Sequence, residues 1–372
     1  MTTNMTTDVT SDVTTGLTTD VTTDTDNART VLVTSATGKT GRRVARRLAE
    51  HGLRVRAGSR TGTTRFDWAD ASTWSPALDG ADAAYVNYYP DLAAPEAAGA
   101  LRTFGELAAA HGLRRLTLLS GRGEPEAVRA EEALRASGVE LTVVRAAFFA
   151  QNFDEGLLAE GVAAGTIAFP AGGTAEPFID ADDLADVVVE TLVGDGHAGL
   201  VHELTGPRAL TFAEVAAEIS RASGREVVYV PMSEAECAGL LGGFGMPEEE
   251  AAWLAGLFAD LLDGHNTPVT DGVRRVLGRE PREFSAYAAR AFGPETAAQA
   301  PDQPALQAPA GAPAPAPAQA PAPTSAQATA PALAEEPAHG PAPAAAQATA
   351  PALAEEPAHA PALAPAAAQA PA

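Results

Sequence analysis

A glycine turn between an apolar strand and a basic helix constrains this chain more than any other feature. Residues Thr30–Leu48 read TVLVTSATGKTGRRVARRL. The apolar, β-branched start predicts a buried strand, and Gly38 and Gly41 punctuate the turn after it. Val44 and Leu48 then recur at a spacing of four on a helix whose other face carries Arg42, Arg43, Arg46 and Arg47. That basic face reads as solvated. A strand that ends in glycines and opens a helix aims free backbone N–H groups at one point, and the missing β-carbons let a pyrophosphate approach closely. The turn therefore predicts a dinucleotide site built from Thr34, Ser35, Thr37, Gly38, Lys39, Thr40 and Gly41.

The rest of the core continues the same alternation. LRVRAGS, RFDW, DAAYVNYY, RLTLLSG and VELTVVRAA are short β-branched or aromatic runs separated by helical patterns, one of them near 125–137. This predicts right-handed βαβ units in an α/β, Rossmann-type doubly wound parallel sheet, with residues from about 150 to 292 adding a smaller substrate lobe. Composition confines this domain to residues 29–292. The 1–28 arm is almost entirely Thr, Asp, Val, Ser and Met, and no apolar segment follows a basic start as in a signal peptide. From 293 to 372 the chain is rich in Ala, Pro and Gln, and AQATAPALAEEPAH occurs twice at a 20-residue period. Both ends have too few bulky apolar side chains to offset the entropy of ordering them, and both are expected to be disordered.

Charge and cysteine narrow the function classes. The chain carries −23, of which −12 belongs to the 29–292 core. So acidic a surface argues against a nucleic-acid groove. No apolar run is long enough to span a membrane. A lone Cys237 forms no internal disulfide and fits a reducing cytoplasm. The seven histidines are scattered without metal-ligand spacing, so no metal site is expected. Thr211 and Ser233 have capping-box spacing to Glu214 and Glu236, and Asp180 reads as a helix start.

VTSATGKTG resembles the T-G-A-T-G-x-x-G fingerprint of the NmrA-like family of atypical short-chain dehydrogenases/reductases, with Ser35 where that pattern has its first glycine. RFDWADASTW, LLSGRG, ALRASGVELTVVRAAFFAQNF, PFIDADDLADV and VTDGVRRVLGREPREFSAYA extend the resemblance over nearly the whole core. The last segment looks most like the branch similar to ergot-alkaloid reductases, the festuclavine-dehydrogenase-like proteins. The resemblance implies an NAD(P)-binding oxidoreductase, with Asp67 near the adenine amino group and Ser120 beside the nicotinamide.

The second strand ends in Arg56, Ala57, Gly58, Ser59, Arg60, with no acid to bond a ribose 2′-hydroxyl. A cation and a hydroxyl suit a 2′-phosphate. NADPH is therefore expected over NADH, with Arg60 as the main contact and Lys39 as a second charge. Lys39 is the chain's only lysine, so the Tyr-x-x-x-Lys acid of many short-chain dehydrogenases cannot exist here; relatives would carry it at the positions of Gly123 and Ala127. Reduction of an iminium or a quinone does not strictly require such an acid. Topology places Asn87, Tyr88 and Tyr89 after the fourth strand, with Asn87 assigned to the cofactor. Phe148, Phe149, Gln151 and Asn152 follow the sixth strand and, with the two tyrosines, are expected to form a pocket for a flat, apolar small molecule. Two readings result: an NADPH-dependent reductase, or a non-catalytic dinucleotide sensor that acts through a protein partner.

Overall fold

Alternation of side chains across the strands sorts the core into two layers. In the computed structural model, which describes residues 29–294, β1 (Thr30–Val33) and β4 (Ala83–Val86) are buried at every position, as expected where helices cover both faces of a sheet. Leu32, Ala84 and Val86 face one layer with Trp74, Leu101, Phe104 and Leu134; Val31, Val33 and Tyr85 face the other with Val44, Leu48, Leu184 and Val188. The arm 1–28 and the tail from 295 onward, both expected to be disordered, lie outside the described residues.

The main sheet has seven strands in the order β3-β2-β1-β4-β5-β6-β9, every pairing parallel. Besides β1 and β4 these are β2 (Arg54–Ser59), β3 (Thr64–Arg65), β5 (Arg115–Gly121), β6 (Glu140–Ala146) and β9 (Val201–Leu204). Helices α1 (Gly41–Glu50), α2 (Trp74–Leu78), α3 (Ala97–Ala110), α4 (Pro125–Arg135) and α6 (Ala181–Val193) make the crossovers; α5 (Ala159–Ala163) lies in the long connection after β6. The strand order turns back between β1 and β4, and the cleft at the carboxyl ends of those strands is where an open α/β sheet binds its ligand.

The later residues form a second cluster. Parallel β7 (Thr166–Phe169) and β11 (Val228–Pro231), and antiparallel β8 (Ala175–Glu176) and β10 (Leu210–Thr211), pack with α7 (Phe212–Ser223), α8 (Glu234–Gly243), α9 (Glu248–Leu261) and α11 (Phe284–Phe292). α10 (Gly272–Leu277) returns to the main sheet beside α6. The centre of the second cluster is aromatic: Phe153, Phe169, Phe178, Phe212 and Phe284 are buried, and Phe212 stacks on Phe169 at 5.3 Å. Thr211 and Ser233 make the capping boxes that start α7 and α8, and Asp180 caps α6 by accepting from the Asp182 N–H.

One expectation needs correcting here. The basic face of α1 is not simply solvated. Arg47 is buried and bonds Asp182 at 2.8 Å and also Asp186, both on α6, while Arg42 and Arg43 hold Glu155. Of the four arginines Arg46 stays largely exposed. The acids that capture the others lie over a hundred residues away in sequence, beyond any local pattern. The seam extends through Arg279 and Arg282 to the fully buried Asp183.

Phe212→Ala should remove the middle of the aromatic cluster and cost about 3–5 kcal/mol. Urea unfolding of the parent and the variant measures it; a loss below about 1 kcal/mol would mean that the cluster is not a packed core.

Candidate active site

The turn after β1 is held by hydroxyls rather than by a helix cap. Ser35 has φ +50°, the only positive φ at a non-glycine among the described residues. For an L-residue this left-handed backbone costs about 1–2 kcal/mol. Its Oγ donates to the Asn87 carbonyl at 3.1 Å, and the same carbonyl accepts from Thr34 Oγ1 at 3.2 Å and from Trp68 Nε1 at 2.8 Å. Thr34 also accepts from the Asn87 N–H at 2.8 Å. Thr40, just before α1, caps nothing; its Oγ1 instead accepts from Tyr85 Oη at 3.0 Å and from Asn87 Nδ2 at 3.1 Å. Asn87 is thus the clasp that fixes the turn to the end of β4.

Space requires glycine at position 41 and disfavours a side chain at 38. A β-carbon at position 41 would stand 2.2 Å from the Ser35 carbonyl oxygen and 2.9 Å from Ala36 Cα. At position 38 it would stand 3.2 Å from the same oxygen. The first turn of α1 carries no acid to occupy its N–H groups or oppose an anion. Close backbone, an open helix start and a cation at the rim fit the diphosphate of a dinucleotide. The cation is Lys39. It is half-buried, donates to Asn152 Oδ1 and lies 5.9 Å from the Phe149 ring centre. Burial lowers its pKa to about 8, against the pull of Glu155 and Asp154.

A cavity of about 490 Å³ opens from this turn across the carboxyl ends of β4, β5 and β6. Ser35, Gly38, Lys39 and Thr40 line the end nearest the turn. Tyr88, Phe148, Phe149 and Asn152 line the body, and Phe258 and Leu261 of α9 contribute an apolar wall. The structure brings Ser120, Asn87 and Tyr89 to the same lining.

Other expected residues lie elsewhere. Thr34 is buried beneath the turn and Thr37 is exposed at its tip. Gln151 is turned into the interior, where Nε2 donates to Asp180 and Oε1 accepts from the Ala181 N–H, both at 2.8 Å. Asp67 closes its own turn by accepting from the Ala69 N–H. Arg60 is exposed, makes no ion pair among the described residues, and lies 5.5 Å from the Tyr89 ring centre. Ser120 donates to the buried carboxylate of Glu131 at 2.6 Å, and Arg145 grips that carboxylate with two bonds of 2.8 Å. Its proton is therefore already committed. Gly123 meets His265 and Asn266, and Ala127 is fully buried in α4.

Three lining acids, Asp91, Glu124 and Glu176, were not among the residues expected at the site. Glu124 sits over Gly121, where a β-carbon would meet its carboxyl at 2.0 Å. Burial, then Asp91 and Glu131, push its pKa up to about 8. Glu176 reaches the cavity from β8. A glutamate before Pro125 and one before Pro177 carry no local signal for either position. The histidines also differ from expectation, because His197 Nδ1 and His202 Nε2 are 3.2 Å apart and burial lowers the His202 pKa to about 4. Among the described residues no group of three potential ligands is placed to hold a metal.

The parallel sheet, the glycine turn at the start of α1 and the cleft beside it define a Rossmann-type dinucleotide-binding protein. No family model matches the chain. It is 34% identical over 274 residues to the uncharacterized oxidoreductase YesF of Bacillus subtilis, covering 70% of this chain and 94% of that protein. It is 31% identical to an NAD(P)H azoreductase of Xenophilus azovorans, covering 71% and 99%, and 28% identical to festuclavine dehydrogenase of Aspergillus fumigatus, covering 70% and 96%. Among solved structures it shares its fold with the NADPH-dependent quinone oxidoreductase QOR2 of Escherichia coli in complex with NADPH, at TM-score 0.57 and 23% identity over 71% of this chain and all of that one. The chain belongs to the NmrA-like family of atypical short-chain dehydrogenases/reductases, a family of NAD(P)-binding oxidoreductases.

Gly41→Ala should abolish dinucleotide binding in calorimetry, because the turn cannot keep its shape. Ser35→Gly should leave binding within about twofold, since relief of the left-handed backbone offsets a lost hydrogen bond of about 1 kcal/mol. A loss of more than tenfold would show that the hydroxyl does more than hold Asn87. The raised Glu124 has a pH consequence: its neutral form stabilises the fold fully below about pH 4.5, and that stability is lost as pH rises through about 8. Thermal melts of Glu124→Gln against the parent should therefore swing in favour of the variant across that window.

Proposed function

We propose that this protein is an NADPH-dependent reductase that delivers hydride to a small, flat electrophile. One observation carries the reading: a single cavity runs from the glycine turn to a wall of Tyr88, Phe148, Phe149 and Phe258. That continuity favours a reductase over a dinucleotide sensor, which has no need of an apolar chamber beside the cofactor. The relatives named for azo and clavine chemistry support the same choice. When bound, NADPH supplies a hydride at its nicotinamide ring.

The chain's own residues do the rest. Backbone N–H groups of the turn and the start of α1 hold the diphosphate, and Arg60 and Lys39 supply positive charge, Arg60 at the 2′-phosphate. Asn87 fixes the turn. The aromatic wall orients a planar substrate and excludes water. The cluster formed by the later residues acts as the substrate lobe. With no Tyr/Lys pair in the sequence, the electrophile is already activated, as in a quinone, an azo compound or an iminium. The lone, buried Cys237 suits a reducing cytoplasm.

Calorimetric titration of the full chain with NADPH, NADP⁺, NADH and NAD⁺ tests the cofactor reading, and failure of all four to bind would overturn it. Arg60→Ala should weaken NADPH by about 10–100-fold, the worth of a charged hydrogen bond, with little effect on NADH. Equal losses would remove Arg60 from the 2′-phosphate.

A further inference from the structure

Glu176 is the second residue of the two-residue strand β8, which pairs with β10 and is pinned from the other side by Thr267 Oγ1 donating to the Ala175 carbonyl at 2.8 Å. Its side chain is 3% exposed and lines the cavity. One oxygen, Oε1, accepts from the Phe148 N–H at 3.2 Å. The other, Oε2, is buried with no hydrogen-bond partner among the described residues. A buried carboxylate with an empty oxygen is costly, so the group keeps its proton instead.

The surroundings set where it lets go. Burial raises the Glu176 pKa to about 7, while the Phe148 N–H, Arg122 and His265 pull it down. Arg122 is itself engaged by the Asn266 carbonyl and by Glu203, and His265 by Asp263. Glu124, with Asp91 beside it, lines the same cavity. A neutral carboxylic acid with nothing to donate to thus borders the chamber assigned to the substrate.

Resting on the reductase reading above, we propose that Glu176 is the proton donor of the reaction, and that it selects substrates whose reduced double bond ends in a basic oxygen or nitrogen. In such a substrate, written X=Y, atom X gains the hydride while the nicotinamide is oxidised. The π pair becomes a lone pair on Y, and Y takes the carboxyl proton of Glu176. The O–H bond of Glu176 breaks, and the carboxylate recovers a proton from water. Quinones and azo compounds need this proton. An iminium does not, because hydride alone neutralises it. The substrate class is therefore quinone-like or azo-like, and the residue that replaces the missing tyrosine lies on a strand of the second cluster rather than in the turn before α4.

The test compares the full chain with Glu176→Gln, which keeps the acceptor for the Phe148 N–H and the shape of the neutral acid but has no proton to give. Parent-minus-variant infrared difference spectra between pH 5 and 9, without cofactor or substrate, should show a protonated-carboxyl band that titrates near neutrality, on top of the Glu124 band that parent and variant share. With NADPH and 1,4-naphthoquinone, the parent's kcat should fall as pH rises through that same titration. The variant should lose about 10²–10⁴-fold in kcat at low pH, the usual worth of general acid catalysis. It should also lose that pH limb, with KM and NADPH affinity within threefold of the parent. A difference spectrum with no such band, or a variant that keeps the parent's kcat and pH profile, overturns the assignment to Glu176 alone. A parent that binds no NADPH overturns the reductase reading and this one together, and a parent that binds NADPH but reduces no quinone or azo probe overturns the substrate class.

Discussion

The glycine turn of this molecule depends on one close approach: the first residue of α1 lies against the carbonyl of Ser35, at a distance that leaves no room for a β-carbon. Because Gly41 can pack there, α1 starts right after the turn that follows β1. The geometry forces residue 35 into left-handed backbone, and this chain meets that demand with serine rather than glycine. The hydroxyl makes the exception tolerable. It joins Thr34 and Trp68 on the Asn87 carbonyl, so strain of about 1–2 kcal/mol is set against a hydrogen bond worth about 1 kcal/mol. The same bond ties the turn to β4, the strand that carries the cleft's opposite rim.

What the sequence made legible follows from how local each signal is. A strand, a glycine turn and a helix lie within nineteen consecutive residues, and period-two and period-four patterns mark the units after them. The parallel sheet and the glycine turn could be read because neighbours in sequence define them. The capping boxes at Thr211 and Ser233 were readable for the same reason. The partners of the arginines on α1 were not, since Glu155, Asp182 and Asp186 arrive from distant segments. Gln151 shows the limit within a single stretch: it follows a strand end as expected, yet one turn of 3-10 helix rotates it away from the cavity and onto Asp180.

Glu124 and Glu176 were invisible for a related reason. Nothing in GRGEP or TAEPFID distinguishes a carboxylate in water from one enclosed by aromatic rings. Their chemistry is a property of the enclosure, which α9, the segment after β6 and the short strands of the second cluster build together. The superfamily's customary tyrosine and lysine positions, in the turn before α4 and on its first turn, hold Gly123 and Ala127. The structure offers acids at the same chamber from other elements.

The state of those acids matters for the chemistry the cavity can host. Hydride arriving at a neutral double bond builds negative charge on the substrate, and ionised carboxylates a few ångströms away would oppose it. In a core that carries −12 this is a real hazard. Burial answers it by holding Glu124 and Glu176 in their neutral forms up to about pH 8 and 7, while Lys39 keeps a cation at the end nearest the turn. Glu131, the acid nearest Ser120, is instead tied to Arg145, with both of its oxygens occupied. The two fates separate the roles: a carboxylate tied to an arginine can only position its neighbours, whereas a neutral acid with an empty oxygen has a proton to give.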